Sequence, residues 1–301
     1  MCKMLPFIPL PICAPEAGWR STKRKREEPT PAEWRKNHKL DFVFENPSNG
    51  KFWQTAAVDL LRSTNTQQDV MTLELSTTYC KHGFQYRKPT TFITSLVSPE
   101  PQLRSPCCNT DPCEEVKEFG KHRKGVQGTS ASEKNSIPTP ITTEFLDKWM
   151  QKCANMQDPP DSYVFIDAFA GFGSVSEAVR IYNEARAEEQ IKNFGYFKNE
   201  IKIVENDAFR GCGWSEDMGK NDEFLRLLSV AAFQAGGEKT ATLLWLSTPC
   251  ETYSTASGNY YRSSKSSGSI ILNDKAAEHD EMNFKLATWL VENALTKTSH
   301  T

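Results

Sequence analysis

The chain has 301 residues, 38% of them hydrophobic and 25% charged, with a net charge of −2. That length supports one large or two small domains around a sizeable core, and the composition is that of a globular chain with some polar, loose segments. No apolar run reaches the roughly 18 residues that span a bilayer, the prolines between Met1 and Cys13 break any signal-peptide helix, and nine irregularly spaced cysteines make no secreted disulfide framework. The expectation is a monomer away from membranes, in the reducing nucleus or cytoplasm, whose nucleic-acid contacts would come from local basic patches.

Residues 1–38 read as a flexible Pro-rich tail. Its Lys23-Arg24-Lys25-Arg26 cluster, followed at once by Glu27 and Glu28, is either a nuclear-localisation signal or phosphate contact, or simply part of a solvated tail. Pro31 to Asn37 suits a short helix with proline near its start. Asp41 to Phe44 is a short buried strand that runs into Glu45-Asn46-Pro47. Gln54 to Leu61 is expected to be helical. Asp69 to Tyr79 alternates as a strand, and the β-branched Thr90 to Val97 as its hairpin partner.

Residues 98–140 are loop-like, with six prolines and little periodicity. They carry Cys107, Cys108, Cys113 and His122, which offer zinc three sulfurs and an imidazole; without a paired C-x-x-C knuckle no metal is assigned, and a flexible insertion with free thiols is the alternative. Ile137 to Met150 predicts a helix capped by a threonine. Val164 to Ile166 predicts a strand buried on both faces, breaking at Asp167 into a turn with Gly171 and Gly173 and then a helix from Ser176. Ile201 to Asp207 and Thr242 to Cys250 predict two more parallel strands, the second ending in Pro249-Cys250. A helix over Asp222–Phe233, a polar loop over Glu251–Asn273 and an amphipathic helix over Asp280–Leu295 complete the reading.

Strand, glycine turn and helix bring backbone N–H groups against a nucleotide-like ligand, and an open α/β sheet binds ligands outside the carboxyl ends of its strands. Asp167, Glu205, Cys250 and Glu45 all follow predicted strands and would converge there.

The residues Phe169-x-Gly171-x-Gly173, Pro249-Cys250-x-x-Tyr253-Ser254, Glu45-Asn46-Pro47 and Thr78 to Gly83 with Lys88-Pro89-Thr90 resemble the carbon-5 cytosine methyltransferases, in particular small phage-type members. The resemblance covers about residues 40–295. In that family the glycine loop comes first, then Pro-Cys, Glu-Asn and the basic motif. Here the last two precede the first two, a circular permutation similar to that of the plant domains-rearranged methyltransferases.

The resemblance implies a Rossmann-like α/β sheet of the S-adenosylmethionine-dependent methyltransferase type, permuted and with a loop-rich insertion. Residues 39–97 would form the half bearing the Glu-Asn-Pro and basic motifs, 98–136 a target-recognition insertion, and 137–301 the donor-binding and catalytic half. It implies Cys250 as nucleophile, Glu45 as its partner on the cytosine edge, and Arg87 or Lys88 as the basic group beside the base. S-adenosyl-L-methionine would be lined by Asp167, Phe169, Ala170, Gly171, Gly173, Glu205, Asn206 and Pro249, with Glu205 on the ribose and Asp217 as candidate partner of the adenine amine. Glu205 lies beyond the roughly 20 residues usual between such a loop and its acidic residue, which requires a long intervening helix and loop. The implied substrate is DNA; RNA, or a catalytically silent S-adenosylmethionine- or DNA-binding regulator, are the alternatives.

Overall fold

The computed structural model describes residues 38–67, 72–125, 129–169, 173–194, 200–205, 239–254, 260–262 and 271–295. The basic cluster Lys23–Arg26, the helices expected over Pro31–Asn37 and Asp222–Phe233, and Ala170, Gly171, Asn206 and Asp217 lie outside them.

Six strands make one mixed sheet: β1 (His38–Pro47), β2 (Leu73–Thr78), β3 (Pro89–Thr94), β4 (Ser162–Asp167), β5 (Ile201–Glu205) and β6 (Thr240–Leu246). Their order is β2-β3-β1-β6-β4-β5. The middle is parallel, β1 on β6, β6 on β4 and β4 on β5, while β3 runs antiparallel to both β1 and β2. The central strands are the most apolar because both of their faces are covered; all seven residues of β6 are buried. The result is an α/β fold with a six-stranded mixed sheet, compatible with a Rossmann-like arrangement. Among the described residues no helix is long and apolar enough to cross a membrane.

Strand residues alternate between two cores. Leu40, Phe42, Phe44, Val164, Ile166, Leu244 and Leu246 face α1 (Ala56–Gln67) and a C-terminal helix, Asp274–Leu290, that continues as a π-turn over Val291–Leu295. Val43, Phe92, Tyr163, Phe165, Leu243 and Trp245 face a helix over Thr139–Ala154 and the long helix Ser174–Phe194. Between α1 and these lie two short helices of the insertion, α2 (Glu114–Phe119) and α3 (Ala131–Asn135), so that the three long helices are α4, α5 and α6 in chain order. Layers therefore run helix, sheet, helix.

Three local expectations change. The cap of α4 is Pro138, with no side-chain hydrogen bond, in place of a threonine. Proline is tolerated in a first turn, where its missing N–H has no helical partner to lose. Just ahead of the cap, the Ile137 N–H donates to Ser174 Oγ at 3.0 Å. Helix α6 begins six residues before Asp280, capped by Asn273, whose side chain accepts from the Ala276 N–H at 3.1 Å. Strand β1 starts before Asp41, which is 2% exposed yet ionically paired with Lys152 of α4 at 2.5 Å and bonded by Ser95 Oγ at 2.8 Å. A charge so buried is tolerated only with such partners.

Replacing Lys152 by Met should therefore leave Asp41 uncompensated and cost about 2 kcal/mol, read as a lower denaturant midpoint. Adding Asp41→Asn should recover part of the loss. An unchanged midpoint in Lys152→Met would show that the pair does not hold α4 to the sheet.

Candidate active site

The site forms where β1, β6 and β4 end together. β1 pairs with β6 in register up to Phe44↔Leu246, so Glu45 is the next residue on one strand while Ser247, Thr248 and Pro249 lead to Cys250 on the other. The Asn46 side chain crosses this gap, donating to Thr248 Oγ1 at 3.3 Å and to the Thr248 carbonyl at 3.4 Å. Asn46 is 1% exposed, and among the described residues its Oδ1 has no hydrogen-bond partner.

Beyond Cys250 the chain turns at once, the Tyr253 N–H bonding the Cys250 carbonyl at 3.1 Å. Tyr253 is buried, packs edge-on against Phe52 at 5.4 Å, donates to Asp280 at 2.9 Å and accepts from Asn283 at 2.8 Å. Arg262 lies over its ring at 4.3 Å, pairs with Asp280 and bonds the Thr252 carbonyl. The Lys51 N–H reaches the Tyr253 carbonyl at 2.8 Å, which ties the loop after Glu45-Asn46-Pro47 to the same turn.

Glu45 is 5% exposed and accepts from the Tyr79 hydroxyl at 3.2 Å. Burial, then the charge of Glu45, pushes the Tyr79 hydroxyl well above its usual range, so it remains a donor. Lys88 lies over the Tyr79 ring at 4.7 Å and bonds the Lys134 carbonyl at 3.0 Å. Cys250 is half-buried. Burial pushes its thiol up, the Lys88 charge pulls it down, and Glu45 pushes it up again. The structure thus brings Glu45 and Lys88 within electrostatic reach of Cys250. Arg87 is exposed and sits instead by His122: burial, then Arg87, holds that imidazole below its usual range.

The second polar edge belongs to β4 and β5, where Asp167 and Glu205 stand opposite each other in register. Asp167 is 1% exposed and accepts from Ser176 Oγ at 2.9 Å. Glu205 is paired with Arg180 of α5 at 2.6 Å. Between Gly173 and Glu205 runs the 21-residue α5. Phe169 is partly buried against the core, Gly173 has a left-handed φ of +71° just before α5, and Pro249 is exposed. A residue with a Cβ would be strained at that Gly173 backbone angle.

The insertion is tied down at several points. Cys107 N–H bonds Thr78 Oγ1 at 2.9 Å, Arg104 bonds the Lys81 carbonyl at 2.8 Å, and Lys81 pairs with Asp111 at 2.5 Å. Three of its basic residues already hold acids: Lys117 with Glu114, Arg123 with Glu115 and Lys124 with Glu133. Cys108 is exposed and turned to Thr110, while Cys80, from the turn after β2, stands with Cys107, Cys113 and His122. Tyr79, Cys80 and Arg262 are the residues that sequence reasoning gave no role. The first two lie inside the Thr78–Gly83 stretch, and Arg262 lies in a segment read only as polar loop.

If Lys88 offsets part of the burial cost of the Cys250 thiolate, its loss has a definite sign. Alkylation of Cys250 should rise with pH through a midpoint above that of an ordinary thiol, and Lys88→Met should move that midpoint further up. Peptide mapping of iodoacetamide-treated protein across pH would measure both, and an unmoved midpoint would remove Lys88 from the site.

Compared with known proteins, the chain matches no family model, no curated protein and no solved structure.

Proposed function

We propose that the chain transfers a methyl group from S-adenosylmethionine to carbon 5 of cytosine in DNA. The observation that carries this reading is the convergence of Cys250, Glu45 and Lys88 at the ends of β6 and β1, although 205 positions (250 − 45) separate the first two. Strand order supports it as well. The side-by-side order β4, β6, β1 is the order in which the resembling family's glycine loop, Pro-Cys and Glu-Asn motifs follow one another. A permuted chain would keep that spatial order while changing only where the chain begins.

The residues present fit the donor. Asp167 and Glu205 offer adjacent carboxylates for hydroxyl and amine groups, Phe169 an aromatic face, and Gly173 an open backbone before a long helix. Arg180 holds Glu205 in place and would share it with a ribose. Bound there, S-adenosylmethionine supplies an electrophilic methyl group to carbon 5.

Cytosine carbon 5 is a poor nucleophile until carbon 6 has been attacked. The Cys250 thiolate forms a bond to carbon 6, and the electron pair of the 5,6 double bond moves onto carbon 5 and the ring. Glu45, steadied by Tyr79 and acting as the protonated carboxyl, donates to ring nitrogen 3 as negative charge moves onto it from carbon 5, while its other oxygen accepts from the exocyclic amine. After methylation, loss of the carbon-5 proton to a base re-forms the double bond and expels the thiolate. A base in duplex DNA has to be flipped from the stack to reach Cys250.

An oligonucleotide carrying 5-fluorocytosine blocks that proton loss and should leave a stable adduct at Cys250 in the presence of the donor. Cys250→Ala should lose nearly all turnover yet keep donor binding, and Glu45→Gln should slow turnover by about 10²–10³-fold. An adduct with RNA alone would reassign the substrate. Donor binding without an adduct on either nucleic acid would favour a silent regulator, and full activity in Cys250→Ala would end the assignment.

A further inference from the structure

We propose that Cys80, Cys107, Cys113 and His122 bind a structural zinc ion that fastens the insertion to the turn after β2. Their three sulfurs and one ring nitrogen lie within 4.8 Å of one another. The His122 Nε2 is 3.4 Å from Cys113 Sγ and 3.8 Å from Cys107 Sγ. A tetrahedral zinc with bonds of about 2.3 Å to sulfur and about 2.0–2.1 Å to nitrogen places sulfur and nitrogen ligands about 3.5–3.6 Å apart, close to these two distances, and the widest pair in the cluster would have to close by up to about 1 Å around the ion.

Local structure explains how such scattered residues meet. Cys80 lies in the short 3-10 helix Tyr79–His82. Cys113 is the N-cap of α2, and the six residues of that helix end at Gly120, whose φ of +72° is left-handed. That glycine turns the chain back on itself, so His122 returns beside Cys113. Substituting Gly120 would strain this return. The sulfurs also have the outer partners that orient thiolate ligands: the Cys113 N–H donates to Cys107 Sγ at 3.3 Å, and Cys80 Sγ lies 3.4 Å from Thr78 Oγ1.

Other occupants of this cluster fit less well. All three cysteines are free and buried, and a disulfide would use two of them and leave the third with the imidazole. Three thiolates and one imidazole in a closed tetrahedral array are a ligand set that suits zinc. An ion at this position would also brace the neighbouring site. Cys80 follows Tyr79, the residue that bonds Glu45, so the ion would fix the base of the wall beside Glu45 and Lys88.

The test is the metal content of untagged full-length protein purified under reducing conditions. One zinc per chain is expected, retained in Cys108→Ser and lost in the Cys107→Ser/Cys113→Ser double variant. Because that double variant could fail to fold, Cys113→His is a second measure: it keeps four ligands and should keep the metal. Cobalt substituted for zinc should give the intense bands of a tetrahedral thiolate site in wild type, weakened in Cys113→His. A folded wild-type chain without zinc, or zinc that survives in the double variant, would overturn the site. Metal content is read without turnover. A zinc-free chain that still forms the 5-fluorocytosine adduct would sink this site alone, and a zinc-loaded chain that forms none would sink the methyl-transfer reading alone.

Discussion

The register of β1 on β6 is the constraint on which the rest of the site depends. Seven residue pairs, from His38↔Thr240 to Phe44↔Leu246, fix where each strand stops. A slip by one residue would exchange the two faces, placing Phe42 and Phe44 where Val43 and Glu45 now stand. Both faces are filled, so such a slip would expose or crowd large side chains on each. Core packing therefore sets the positions of Glu45 and of the loop to Cys250 before any polar contact between them forms. The Asn46 to Thr248 bonds then close a gap that packing has already made small.

Packing alone would leave Cys250 on a swinging loop. The turn that carries it is held through Tyr253, whose hydroxyl, ring and backbone are each engaged: by Asp280 and Asn283, by Phe52 and Arg262, and by Lys51. Tyr253 and Asn283 are buried, and Arg262 is 2% exposed. A buried network of this kind is stable only when nearly all its members are satisfied. Loss of one leaves the others desolvated and unpaired, so the network discriminates sharply between one loop geometry and its neighbours. The same residues tie the turn to α6 and to the loop after β1, which couples both halves of the chain at the thiol.

Much of this was legible in the sequence because burial leaves a strong local signal. Val164 to Ile166 read as a two-sided strand and Thr242 to Cys250 as another buried one, and they form the adjacent interior strands β4 and β6. The hairpin partners were readable too, β2 from alternation and β3 from β-branched content. What escaped was decided over long distances. An aspartate at position 41 marks a strand boundary locally, and Lys152, 111 positions away, together with Ser95, makes it tolerable inside one. Tyr79 and Glu45 are 34 positions apart, and no spacing rule joins Cys80 to the cysteines of the insertion. Arg87 and Lys88, adjacent in sequence, point to different neighbours because β3 begins directly after them, at Pro89.

Under the methyl-transfer reading, the raised thiol of Cys250 has a physical logic. A thiolate standing ready at a half-buried position would react with any oxidant or electrophile that reached it. Burial keeps the thiol protonated at rest, and the nearby Lys88 charge limits that effect. Lys88 is held at a fixed place by the Tyr79 ring and the Lys134 carbonyl, so its charge needs no reorganisation when a base arrives. A cytosine bound against Glu45 would exclude more water and, by lowering the local dielectric, strengthen the attraction between Lys88 and a forming thiolate. The nucleophile would then be activated by the substrate it attacks, and Tyr79, whose hydroxyl bonds Glu45 and whose ring lies under Lys88, positions both side chains.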